Sequence, residues 1–77
     1  MTKEYYNLKE ILDLDINPKV KDNFKDKFKQ VVYFDFNGSC KIGILSGLEV
    51  GNNILRYIID NEGDNLYVNY DKSLTLF

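Results

Sequence analysis

The residues able to carry chemistry in this chain are few, and their types narrow the options quickly. Histidine is absent, which removes the commonest general base and metal ligand, together with every Ser-His or Cys-His nucleophile pair. The single cysteine, Cys40, has only Lys41 as a charged neighbour in sequence. A reactive thiolate needs a stronger electropositive setting, so a structural role is expected. Carboxylates are left. Asp60, Glu62 and Asp64 lie close together, a spacing that could supply an acid and a base or oxygen ligands for a cation. The segment is too short for a calcium loop, its glycine is misplaced and no bidentate Glu closes it. A solvated β-turn is expected there, with no metal and no cofactor. Gly38, Gly43 and Gly47 are followed by no Gly-Lys-Ser/Thr and no strand-to-helix turn, so they read as turn and bend residues rather than a phosphate cradle. With no convergent nucleophile, base or metal set, an enzyme is not expected.

Composition points to recognition instead. The chain has 77 residues with six Tyr and five Phe, and tyrosine beside acids suits protein contact, although it also favours strands. Net charge is -2 but unevenly spread: residues 1–30 hold seven Lys against six acids, whereas 31–77 hold three basic residues against six acids. An acidic second half argues against a phosphate-binding surface there. A lone cysteine excludes an intramolecular disulfide and fits a reducing compartment. No apolar run reaches the ~18 to 20 residues of a membrane span, and MTKEYYN does not read as a signal peptide. The expected location is the cytoplasm, with no membrane contact.

The elements that must position these residues fall into two parts of a single domain, 1–77. Thr2 can cap a first helix over Lys3 to Leu12, with Tyr5, Leu8 and Leu12 on one face and Ile11 beside them. Leu12, Leu14 and Ile16 then alternate with Asp13 and Asp15, as in an extended connector. Asn17-Pro18 starts a second helix over residues 18–29, with Asn17 as cap and Pro18 in the first turn. Val20, Phe24 and Phe28 form its buried stripe. So small a domain has little core of its own, and the helical segment 1–29 is expected to pack on the β-rich remainder, 30–77.

From Gln30 the pattern changes to strands at 30–37, 40–48, 53–60, 65–70 and 74–77, broken at Asn37-Gly38, at Gly51-Asn52-Asn53 and at Asn61 to Asn65. Period-two alternation in VVYFDF puts Val32, Phe34 and Phe36 inside and Tyr33 and Asp35 outside. Asn-Gly tolerates the positive φ of a primed two-residue turn, so the chain should run back antiparallel.

The runs VYFDFNG, GILSGLEV, RYIIDNEGDNLYV and DKSLTLF resemble the small SH3-like barrels common among short bacterial and phage proteins. The resemblance covers residues 30–77. It implies an α+β fold, short N-terminal helices followed by a five-stranded antiparallel SH3-like barrel, in which Gly43 and Gly47 allow the bend of the second strand. It also implies an interior of Val32, Phe34, Phe36, Leu45, Leu48, Leu55, Tyr57, Ile59, Leu66, Val68 and Leu76, with Tyr33, Asp35, Arg56, Ile58 and Tyr67 outside. A bulge at Gly43 or Gly47 would reverse the faces near Ile42 and Ile44. That family has no single ligand.

The function expected from these residues is a non-enzymatic protein-binding module acting through an acidic, Tyr-bearing surface made of Tyr33, Asp35, Asp60, Glu62, Asp64 and Tyr67. Its partner would be a larger host protein with a basic surface, a nuclease being the natural candidate. By size and charge alone this suggests a phage or mobile-element inhibitor of host defence, of the anti-CRISPR kind. Two alternatives stand beside it. Lys21, Lys25 and Lys29 form one stripe of the second helix and could meet nucleic acid, although Asp22 and Asp26 lie alongside and a solvated face is the plainer reading. Exposed Ile58 and an open barrel edge could instead pair two copies, as in a self-associating phage component.

Overall fold

In the computed structural model, which describes all residues 1–77, the chain folds as two helices and a six-stranded antiparallel sheet. The sheet grows from the Asn-Gly hairpin. β2 (Val31–Phe36) and β3 (Ser39–Gly51) pair from Phe36↔Ser39 to Val31↔Ile44. Asn37 and Gly38 both have positive φ, 51° and 81°, the requirement of a type I′ turn. β4 (Ile54–Asn61) and β5 (Asp64–Asn69) continue the meander, and β6 (Thr75–Leu76) returns to pair with β2, giving the order β5-β4-β3-β2-β6.

The helices cover one face. α2 (Pro18–Lys27) begins as expected, with the Asn17 side chain accepting from the Lys19 amide at 2.9 Å. Its Val20 and Phe24 are fully packed against the inner face of the sheet, where Val32, Phe34, Leu45, Leu48, Tyr57, Ile59 and Val68 meet them. Leu45 and Leu48 both point inward because β3 shifts register between Leu45 and Gly47, at Ser46. The extra residue of a bulge is what allows this.

Several expectations are corrected. The sheet does not close into a barrel: β5 and β6 lie at opposite ends of the strand order and do not pair. Nor does the first helix begin at Lys3. Thr2–Tyr5 form a strand, β1, paired antiparallel with β3 from Thr2↔Gly51 to Tyr5↔Leu48. Only Leu8–Leu12 is helical, as α1, capped by Asn7, which accepts from the Lys9 and Glu10 amides. The edge of β3 beyond the end of β2 would otherwise leave backbone groups without partners, and residues 2–5 satisfy them. Residues 13–16 turn rather than extend, with the Leu14 amide bonded to the Ile11 carbonyl. At the other end of the chain Leu74 is buried and Leu76 is exposed, since the two-residue β6 carries Leu76 past the rim of the core. No helix is long and apolar enough to cross a membrane.

Candidate protein-binding face

Residues directly opposed across antiparallel strands point to the same side, so the register fixes what the outer, helix-free face displays. Toward β2 it carries the pairs Val31↔Ile44, Tyr33↔Ile42 and Asp35↔Cys40, with Asp60 of β4 opposite Ile44. Val31, Tyr33, Ile42 and Ile44 are all exposed, Ile42 to 47%. Toward β5 the same face carries the rows Glu4–Glu49–Arg56 and Gly47–Ile58–Tyr67.

Of the residues expected to bind a partner, Tyr33, Asp35, Asp60 and Tyr67 therefore share one face; Glu62 lies in the turn beyond Asp60, and Asp64, opposed to Asn61, falls on the other side of the sheet. They do not form one patch of acids. Ile42 and Ile44 stand between Tyr33 and Asp60, and Tyr67 is occupied by Glu4. Asp60 has a structural duty as well: its Oδ1 accepts from the Gly63 amide at 3.0 Å, which ties the turn in which Glu62 and Gly63 take positive φ. No three acidic or thiol side chains converge to hold a metal ion.

Ile58 points outward as expected but is fully buried, so it offers no surface for pairing two copies. Its cross-strand partner Gly47 seats the Tyr6 ring; a Cβ at Gly47 would lie 2.8 Å from Tyr6 Cδ1 and 2.5 Å from the Tyr5 carbonyl oxygen. The lysine stripe is also broken. α2 ends at Lys27, and Lys29 turns into the left-handed region with φ 64°, its amide bonded to the Leu45 carbonyl. Lys21 and Lys25 remain on the helix, while the Lys29 ammonium stands 5.2 Å from the centre of the Phe28 ring.

A cluster not foreseen from the sequence closes this half of the face. The Glu4 carboxylate accepts from the Tyr6 hydroxyl and, at 2.8 Å, from the Tyr67 hydroxyl, strapping β1 across to β5. Next to it Arg56 pairs with the nearly buried Glu49 at 2.5 Å and lies 5.4 Å from the Tyr67 ring centre. Reading Glu4-Tyr5-Tyr6 with period two would have put Glu4 and Tyr6 on one side, but helical spacing competed for the same residues. The Tyr6 bond first and the Tyr67 bond second hold the Glu4 carboxyl below its ordinary value. Reciprocally the Glu4 bond raises Tyr67, and raises Tyr6 to about 12.

These shifts have a sign. A carboxyl depressed on folding stabilises above the ordinary carboxylate range and loses its contribution as pH falls through it; a raised phenol contributes below 10 and is lost toward about 12. Amide exchange in β1, corrected for intrinsic rates, should therefore accelerate relative to β4 as the solution is acidified. Glu4→Gln should remove that pH dependence, and β1 protection that is flat through the carboxylate range would contradict the strap.

The largest concavity, about 520 Å³, lies elsewhere, between the start of α2 and residues 70–74. At its wall Asn23 Nδ2 donates to the Tyr57 hydroxyl at 3.0 Å, and Lys27 donates to Asn23 Oδ1. Burial raises the Tyr57 phenol. No buried side-chain polar atom lacks a partner.

No protein-family model, curated protein or solved structure is significantly similar to this chain.

Proposed function

We propose that the chain is a non-enzymatic protein-binding module that docks through the β2 side of its outer face onto a partner with a basic surface. The observation that carries this is the lack of internal compensation: the molecule holds one ion pair, Arg56–Glu49, and leaves Asp35 and Asp60 of the outer face, with Glu62 in the adjoining turn, without a cation partner on the face that exposes Tyr33. Unpaired acids steer a basic partner during encounter, and Tyr33 supplies contact area of the kind that dominates interfaces. Tyr67, held by Glu4, is a fixed margin of this face rather than an anchor.

The narrower reading, an anti-CRISPR-like inhibitor whose carboxylates imitate the phosphates of a nuclease substrate, adds a partner class and draws only on small size and acidity. An SH3-like relationship for β2 to β6 is likewise a proposal, supported by the meander, the bulged β3 and the short last strand beside β2.

The test is to compare the wild type with Asp60→Lys/Glu62→Lys/Asp64→Lys as baits against a lysate of the natural host. Glu62 and Asp64 are exposed, whereas Asp60 ties the turn to Gly63, so far-ultraviolet dichroism first establishes that the variant is folded; folded, it should lose the basic proteins that the wild type retains at low salt. Identical retention by a folded triple variant would overturn the proposal. Gel shift of DNA or RNA at physiological salt, abolished by replacing Lys21, Lys25 and Lys29, would favour nucleic-acid binding instead.

A further inference from the structure

Strands apolar on both sides are normally buried on both sides. Here Val31 and Tyr33 alternate with Val32 and Phe34, and Ile42 and Ile44 alternate with Gly43 and Leu45, yet only the inner set is covered. On the β5 side of the outer face the chain covers itself, with Tyr6 on Gly47 and Ile58 fully buried. On the β2 side nothing covers the block formed by Val31, Ile44, Tyr33 and Ile42, and Phe77, whose amide donates to the Val31 carbonyl, is 79% exposed beside it.

Resting on the binding role proposed above, we infer that this bare half-face seats a basic amphipathic helix of the partner, which completes a helix–sheet–helix sandwich over Val31, Tyr33, Ile42 and Ile44. Spacing fits. The four side chains form two rows about 5 Å apart across the strands and about 7 Å along them, and helix residues three and four apart lie about 5–6 Å from each other. Charge selects the occupant. The outward strand positions of this half-face carry Asp35 and Asp60 and no Lys or Arg, with Lys72 at the rim beside Tyr33 and Asp35; lysines flanking an apolar stripe would meet these carboxylates.

The test titrates the full chain with two labelled synthetic peptides of equal Leu and Lys content and about five helical turns in length. One carries Leu with helical spacing and the other alternates Leu and Lys. The helical peptide should bind and gain helicity, with the alternating one at least about tenfold weaker. Ile42→Thr/Ile44→Thr, which keeps β-propensity at two solvated positions, should weaken the helical peptide by at least about tenfold, and Val31→Thr should weaken it less. Equal binding of the two peptides, or indifference to the isoleucine variants, overturns the inference. If such indifference accompanies loss of binding in the Asp60/Glu62/Asp64 reversal, only the helix seat falls; if both variants bind normally, the broader reading falls with it. A dimer in sedimentation that Ile42→Thr/Ile44→Thr dissolves would assign the patch to a second copy and also overturn the inference.

Discussion

Replacing Phe24 by alanine should leave the chain largely unfolded at physiological temperature. Phe24 is fully buried and its ring centre lies 5.6 Å from that of Tyr57 and 6.0 Å from that of Phe28, so it joins α2 to β4. Truncating a buried Phe costs about 3–5 kcal/mol. A domain this small draws no more than roughly 3–5 kcal/mol from its single core, so one cavity consumes most of the margin. Urea unfolding followed by far-ultraviolet dichroism would measure it. A loss below about 1 kcal/mol, well under the range for a buried Phe, would mean that α2 is not held as described.

The second large effect is at Gly43, where alanine should destabilise by about 1–3 kcal/mol, the usual range for overpacking. A Cβ there would lie 2.5 Å from Ile59 Cγ2 and 2.7 Å from the Asp60 carbonyl oxygen. The side chain can yield, but the carbonyl belongs to the end of the pairing between β3 and β4, where Ile44 is opposed to Asp60. The variant should therefore loosen this junction first, seen as faster amide exchange at residues 59–61 than in β5. Unchanged stability would show that β4 does not approach β3 so closely.

Local signals made the hairpin and α2 legible. Val32 and Phe34 alternate cleanly, Asn37-Gly38 can adopt only a few turn geometries, and Asn17-Pro18 marks a helix start whatever surrounds it. β1 was hidden for the opposite reason. Tyr5, Leu8 and Leu12 suit a helix, and the strand edge that captures Thr2–Tyr5 comes from Leu48–Gly51, far away in sequence. Ile58 is likewise buried where Tyr6, distant in sequence, sits on its cross-strand partner Gly47. At the candidate site the parity of Tyr33, Asp35 and Asp60 could be read directly. Ile42 and Ile44 could not be assigned to a face while the bulge near Gly47 was free to move, and only its position at Ser46 places them between those polar residues.

The most direct measurement of where a partner docks is an isoleucine-methyl spectrum of the chain with and without the helical Leu/Lys peptide. The seven isoleucines sample every surface: Ile42 and Ile44 on the bare half-face, Ile58 under the strap, Ile11 and Ile59 in the core, and Ile16 and Ile54 at the far end of the sheet. Docking on the bare half-face predicts large shifts at Ile42 and Ile44 and none at Ile16 or Ile54. Shifts confined to Ile16 and Ile54, with Ile42 and Ile44 unmoved, would contradict it.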